Sequence, residues 1–261
     1  MSPSCLTQPI VMPRNHIFSV CCIVVALGLA GCRPVTTSGS YSQSGGESTD
    51  EKPLMIFCAA GIRLPVEEVA KKYEIEFGRK VQIDYGSSGE LEGRLEIERR
   101  SGKSRCDLYI PADESFASRT RQKQLTRESI PLAKFRLVLA VRPDSGLDFG
   151  SVDELLAGDH GFVVCDPKAG VGKKTMTVLR KSGHWDAVDQ QKKVSFPRVP
   201  EAANAIKTSG DVVAGFIWDT TAIQFGLKGL IPPEIADASS TVTVNVSTLS
   251  PRPLRSLRAF V

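Results

Sequence analysis

The stretch that most constrains the fold is Asp84-Tyr85-Gly86-Ser87-Ser88-Gly89-Glu90-Leu91. It follows an alternating apolar run (Val81, Ile83, Tyr85) and precedes a helically spaced one (Leu91, Leu95, with Ile97 beside it). A strand, a tight Gly/Ser turn and a helix start therefore follow one another. Ser88 is the expected N-cap, because a serine oxygen can satisfy the first free N–H groups of a helix. Two hydroxyls and several unpaired N–H donors then stand at the positive end of a helix dipole, which suits an anion. An ordinary capped helix accounts for the same residues. The anion site is favoured because similar turns recur down the chain.

Residues 54–58 are an apolar strand pattern, followed by the small-residue turn Ala59-Ala60-Gly61. Val66, Val69, Tyr73 and Phe77 then fall at helical spacing, and Gly78 sits where a C-terminal cap belongs. The unit repeats as a strand at 81–85 with a helix to about residue 100, and as a strand at 106–110 with a helix near Phe116. Further strands are expected at 135–141, 161–165, 194–196 and 212–218, with helices after Ser151, over 173–182 and from 200. Residues 241–246 alternate valine with Thr and Asn, as a half-exposed strand does. No repeat of fixed period is present. Alternating strands and helices imply an α/β fold with mainly parallel sheets, whose ligands sit beyond the strands' C-terminal ends.

The 261 residues suffice for one large or two small domains. A net charge of +4 with scattered Lys and Arg reads as a solvated surface, not a nucleic-acid face. Residues 16–30 are mostly apolar, follow Arg14 and end at Leu29-Ala30-Gly31-Cys32. That is a signal-peptide pattern, and the run is short for a membrane span. Its end is similar to the bacterial lipobox, in which the cysteine, here Cys32, becomes the lipidated first residue. A plain signal peptide or a single anchor helix fits the same run. Met12 begins a more typical leader of this kind than Met1. The Ser/Thr/Gly-rich residues 33–52 cannot bury a core and read as a disordered tether.

Seven cysteines become four once Cys5, Cys21 and Cys22 leave with the leader. Cys58, Cys106 and Cys165 each lie in or beside an apolar run without metal-ligand spacing, so buried thiols are expected, with one disulfide as the alternative. Gly170-Val171-Gly172-Lys173-Lys174 fails the P-loop pattern at two positions: Pro167 replaces its first glycine and Lys174 its Ser/Thr. A serine hydrolase using Ser87 or Ser88 needs a base, and His160 and His184 both stand in polar surroundings. No enzyme is expected.

Together, Phe57-Cys58-Ala59-Ala60, Phe77-Gly78, Tyr85-Gly86-Ser87-Ser88-Gly89, Cys106-Asp107-Leu108-Tyr109-Ile110-Pro111-Ala112-Asp113, Asp166-Pro167 and Gly215-Phe216-Ile217-Trp218 stand in a specific order and spacing. In that order the chain resembles the substrate-binding protein of molybdate ABC transporters. The resemblance implies a two-lobed periplasmic-binding-protein fold, each lobe a mainly parallel sheet flanked by helices, joined by hinge strands. The lobes fall at 53–133 and 134–231, with 232–261 returning to the first. It also implies capture of molybdate or tungstate without a countercharge and delivery to an ABC permease of the inner membrane. The protein would be a monomer on the periplasmic side, held to the membrane by its lipid and needing no cofactor.

Position by position, the resemblance puts Ser88, with Ser87 beside it, at a serine ligand and Gly172 at a backbone donor. Gly61 stands where the family has a ligand serine, Trp218 where it has a tyrosine, and Pro200 near a backbone donor although it has no N–H. The implied oxyanion ligands are therefore Gly61, Ser87, Ser88, Gly172, Pro200 and Trp218, with molybdate held through Ser88, Gly61, Gly172 and Trp218. Another oxyanion or a small organic anion is the alternative, because Gly61 and Trp218 depart from the family chemistry. Glu90, Glu201 and Asp219 fall near the cleft as solvated or capping carboxylates. The chain ends before the helix that closes the family's first lobe.

Overall fold

The computed structural model describes residues 52–261. The leader expected at 1–32, with Cys32, and the tether up to residue 51 lie outside the described residues. The first units are β1 (Leu54–Ala59) and α1 (Arg63–Phe77), β2 (Val81–Gly86) and α2 (Ser88–Ser101), and β3 (Leu108–Ile110) and α3 (Glu114–Gln122). The long β4 (Thr126–Val141) is followed by α4 (Val152–Ala157), β5 (Phe162–Cys165), α5 (Gly170–Lys181), α6 (Trp185–Gln191) and β6 (Val194–Phe196). The chain continues through α7 (Val199–Thr208), β7 (Ala214–Trp218), α8 (Asp219–Phe225), β8 (Lys228–Leu230), β9 (Ser239–Ser247) and α9 (Leu254–Arg258).

The strands form one mixed sheet in the order β2-β1-β3-β9-β4-β7-β5-β6, with β8 also on β4. Around β1 and around β5 the pairing is parallel. Between those two groups it is antiparallel, through β9 and β4. The parallel strands β1 and β5 are buried along their whole length, as strands covered by helices on both faces must be.

β4 crosses between the two halves. Its N-terminal part pairs β9 from Thr126 to Arg136, and its C-terminal part pairs β7 and β8 from Leu137 to Val141. The sequence pattern points to a strand only at 135–141. Residues 126–134 carry Arg127, Glu128, Pro131 and Lys134 and lack an apolar run, yet they extend against β9 with register shifts at Thr126/Glu128 and Pro131/Ala133. Proline has no N–H for the ladder, so a shift at Pro131 is where it belongs.

Local signals set most helix ends. Gly78 ends α1 in the left-handed region at φ 65°, where glycine carries no Cβ penalty. Ser151 caps α4 by accepting from the Glu154 N–H. Two expectations are corrected. The N-cap of α2 is Ser87, not Ser88: Ser87 Oγ accepts from Glu90 N–H, and Glu90 returns to accept from Ser87 N–H, closing a capping box. And α5 starts at Gly170, not at 173. Its first turn holds two glycines, poor helix formers by propensity, but a Cβ on Gly172 would lie 2.2 Å from the Asp166 carbonyl oxygen, so packing against the end of β5 requires the glycine.

The end of the chain covers the first half better than its length implied. α9 buries Leu257, and Phe260 lies 5.6 Å from Tyr73, centroid to centroid. Arg252 anchors this segment to Asp107 at 3.0 Å. Cys58, Cys106 and Cys165 are all buried and free, and burial pushes each thiol well above its ordinary pKa. No helix among the described residues is long and apolar enough to cross a membrane.

Within the first half, the Glu92 side chain is only 4% exposed and accepts from Arg119 and Lys123. Burial opposes its ionisation, but these hydrogen bonds and charges win and hold the carboxyl below the usual carboxylate range. The folded form is therefore stabilised above the unfolded pKa of about 4.3, and the stabilisation fades as pH falls through the lower folded value. Glu92→Gln is expected to cost about 1–3 kcal/mol at pH 7. Thermal melts should show the gap between variant and wild type narrowing below about pH 4.

Candidate functional site

The ends of the parallel strands enclose a cavity of about 20 Å³. The first half contributes Ala59–Gly61 after β1, Gly86–Ser88 after β2, and Ala112 after β3. The second half contributes Ala169–Val171 at the start of α5, Arg198 and Val199 at the start of α7, and Trp218 at the end of β7. Water-sized occupancy needs about 10–15 Å³, so this space suits one small group and no more. The halves touch around it: Gly89 N–H donates to the Lys168 carbonyl at 2.8 Å, and Lys174 in α5 pairs with Asp113 at 3.2 Å and Glu114 at 3.0 Å.

The lining is rich in donors. α5 and α7 both begin without a side-chain cap, so their first N–H groups are left for another acceptor. Ser88 is buried; its Oγ accepts from the Ala112 N–H at 3.2 Å, which leaves the hydroxyl proton to give. The indole Nε1 of Trp218 is buried and has no hydrogen-bond partner. An orphaned N–H of this kind costs about 1–3 kcal/mol, and a ligand acceptor would recover it. The neighbouring Cδ1 lies 3.9 Å from where a Cβ on Gly61 would stand.

Of the residues singled out from sequence, Gly61, Ser87, Ser88 and Trp218 line the cavity, and Gly172 and Pro200 do not. Gly172 packs behind it on the carbonyls of Cys165 and Asp166, and Gly170 and Val171 take the lining positions because α5 starts early. Pro200 sits one residue inside α7, so Arg198 and Val199 face the space instead. A serine side chain at Gly61 would meet Val199 Cγ1 at 2.5 Å from its Cβ, so the space it needs is occupied from the other half.

Sequence reasoning missed two residues. Arg198 brings a cation into a lining expected to have no countercharge. Thr221, in the first turn of α8, has a buried Oγ1 without a partner, 3.9 Å from the same Gly61 Cβ position. Its place one helical turn after Trp218 was the available signal. Among the carboxylates expected near the cleft, Glu90 closes the capping box, Glu201 accepts from Arg198 at 3.4 Å, and Asp219 accepts from Arg136 N–H and Thr220 N–H. The Ser87 N–H holds the Glu90 carboxyl below the usual range. His160 stacks edge-on against Phe149 and His184 pairs with Asp153, so neither histidine lines the cavity. Asp153, His184 and Glu234 place ligand atoms within 4.8 Å of one another; Asp153 is exposed and the other two are half-buried.

The chain is similar to several known proteins. A putative ABC transporter substrate-binding lipoprotein, YvgL, of Bacillus subtilis is 25% identical over 237 residues, covering 88% of this chain and 85% of that one. The molybdate-binding protein ModA of Escherichia coli is 24% identical over 197 residues, covering 70% and 72%. The periplasmic binding protein AfuA of Actinobacillus pleuropneumoniae, solved with fructose-6-phosphate, superposes with a TM-score of 0.67 at 15% identity, covering 80% and 77%. Likeness at that identity extends to the fold. Residues 54–261 match the family model for bacterial extracellular solute-binding proteins, and the chain belongs to that family.

Proposed function

We propose that this protein is the extracytoplasmic substrate-binding component of an ABC transporter and that it captures molybdate or tungstate for a permease. The observation that carries the ligand reading is the buried Trp218 Nε1 without a partner in a lining of donors. A fully deprotonated dianion only accepts hydrogen bonds, so a donor lining suits it. Protonated phosphate also needs an acceptor; none of the lining residues carries a carboxylate, and Glu90 at the edge already accepts from the Ser87 N–H. A ferric ion prefers anionic oxygen ligands, and the lining has no Asp, Glu or Tyr. A space of about 20 Å³ favours a small anion over a sugar phosphate. The similarity to ModA supports the same ligand class.

The fold is compatible with delivery by opening and closing. Two halves joined in the sheet through the β4–β9 pairing can part by flexing those strands, a ligand-driven shift between open and closed forms. The cavity is complete within one chain, so a monomer suffices. Cys32 is the lipid attachment point in this reading and residues 33–52 the tether, as the lipoprotein relative supports. Arg198 favours a second reading, in which the same site takes another small oxyanion such as sulfate.

Calorimetric titration with molybdate, tungstate, sulfate and phosphate separates the readings. Molybdate and tungstate are expected to bind near 1 μM, about −8 kcal/mol. A response to sulfate or phosphate alone overturns the molybdate assignment. Ser88→Ala should weaken anion binding by roughly 10- to 100-fold, the loss of one charge-assisted hydrogen bond. Its unliganded form should melt lower by about 1 kcal/mol in stability, because the Ala112 N–H loses its acceptor. Trp218→Phe removes the indole donor and should weaken binding about tenfold, read in the same titration.

A further inference from the structure

We propose that Arg198 masks the Glu90 carboxylate from the bound anion when the cleft closes, and that opening removes the mask and drives release. The proposal rests on the reading of the cavity as an anion site. It goes beyond that reading by assigning a specificity and release role to a pair of charges outside the donor set.

Glu90 cannot leave the edge of the cavity without losing its role in folding. Its Oε2 accepts from the Ser87 N–H at 2.7 Å as half of the capping box of α2. The same oxygen lies 3.2 Å from where a Cβ on Gly86 would stand, and Gly86 lines the cavity. A full negative charge is thus fixed beside the place where a dianion would sit. Arg94, one turn further along α2, pairs with Asp84 at 3.7 Å, and its charge offsets Glu90 only in part. Unmasked, Glu90 disfavours any anion in the cavity.

Arg198 comes from the opposite half. It is the N-cap residue of α7, lines the cavity, and brings Nε to 3.7 Å from Glu90 Oε2. That distance is an ion pair but too long for a hydrogen bond, and Nε is buried without a hydrogen-bond partner. Glu201 holds the other end of the guanidinium at 3.4 Å and so orients it across the gap. Because Arg198 and Glu90 sit on different halves, their pairing exists only when the halves meet. Closure therefore neutralises the charge that would expel the ligand. Opening withdraws Arg198 and leaves Glu90 facing the anion, so one carboxylate is silent during retention and repulsive during delivery. A family site with no charge at all has no such device.

The test is a double-mutant cycle read by titration and by stopped-flow release of molybdate, tungstate or sulfate, whichever the wild type binds. Arg198→Ala should weaken binding about tenfold or more, mainly through faster release. Glu90→Gln keeps the capping box, since glutamine serves at that position, and should slow release and tighten binding. The double variant should return to within about threefold of wild type. Arg198→Lys should retain most of the affinity. If Arg198→Ala and the double variant weaken binding equally, Arg198 acts only as a direct ligand contact and the masking role is wrong. If Arg198→Ala lowers the unliganded melting temperature with affinity unchanged, its role is structural and the proposal also fails. A wild type that binds none of molybdate, tungstate, sulfate and phosphate overturns the anion reading itself and this proposal with it.

Discussion

Backbone N–H groups that no side chain caps, and an indole N–H that no protein atom accepts, are gathered at one point where the strands end. That unmet demand for acceptors organises the molecule. A helix start buried without a partner is unfavourable, and several around one small space suit an acceptor there, as the proposed anion is. The parallel pairing of β1 with β2 and β3, and of β5 with β6 and β7, produces the convergence: parallel strands all release their chains at the same edge. The helices that follow therefore begin around the same space.

The contacts that hold the halves together are of two kinds. The apolar core is continuous through both halves, with β1 and β5 fully covered and Val199 packed close to Gly61 across the cavity. Other contacts across the cavity are polar: Gly89 to Lys168, Lys174 to Asp113 and Glu114, and Arg198 to Glu90. The Arg198–Glu90 pair is partly exposed and contributes little, whereas the Lys174–Asp113 pair is largely buried. Glycine makes the close approach feasible. A Cβ on Gly89 would lie 2.9 Å from the Lys168 carbonyl oxygen, and one on Gly170 would lie 3.1 Å from the Ala112 carbonyl carbon.

Much of this was legible in the residues. The strand–turn–helix alternation, the turn at Ser87 and Ser88, the cap at Gly78 and the lining role of Gly61 and Trp218 all follow from local pattern or family order. Other features were not. Glycines 170 and 172 argue against a helix by propensity, so local pattern points to a start at 173 and to Gly172, whereas packing starts α5 at Gly170 and gives the lining positions to Gly170 and Val171. The polar half of β4 has no strand pattern of its own, because its partner β9 and not an apolar face holds it extended. Arg198 reads as one more scattered cation until α7 turns it toward Glu90. Thr221 shows its significance only through the absence of a partner, which no sequence displays.

The sequence alone determined the alternating architecture and where its turns fall, because hydrophobic period and capping chemistry act over a few residues at a time. It also determined that serines and glycines sit at the strand ends. Only the tertiary structure decided which atoms meet: that Ser87 serves the helix while Ser88 serves the cavity, that Val199 occupies the room a side chain at Gly61 would need, and that a guanidinium from one half stands against a carboxylate of the other. The last two outcomes depend on contacts between residues more than a hundred positions apart, and no local pattern encodes them.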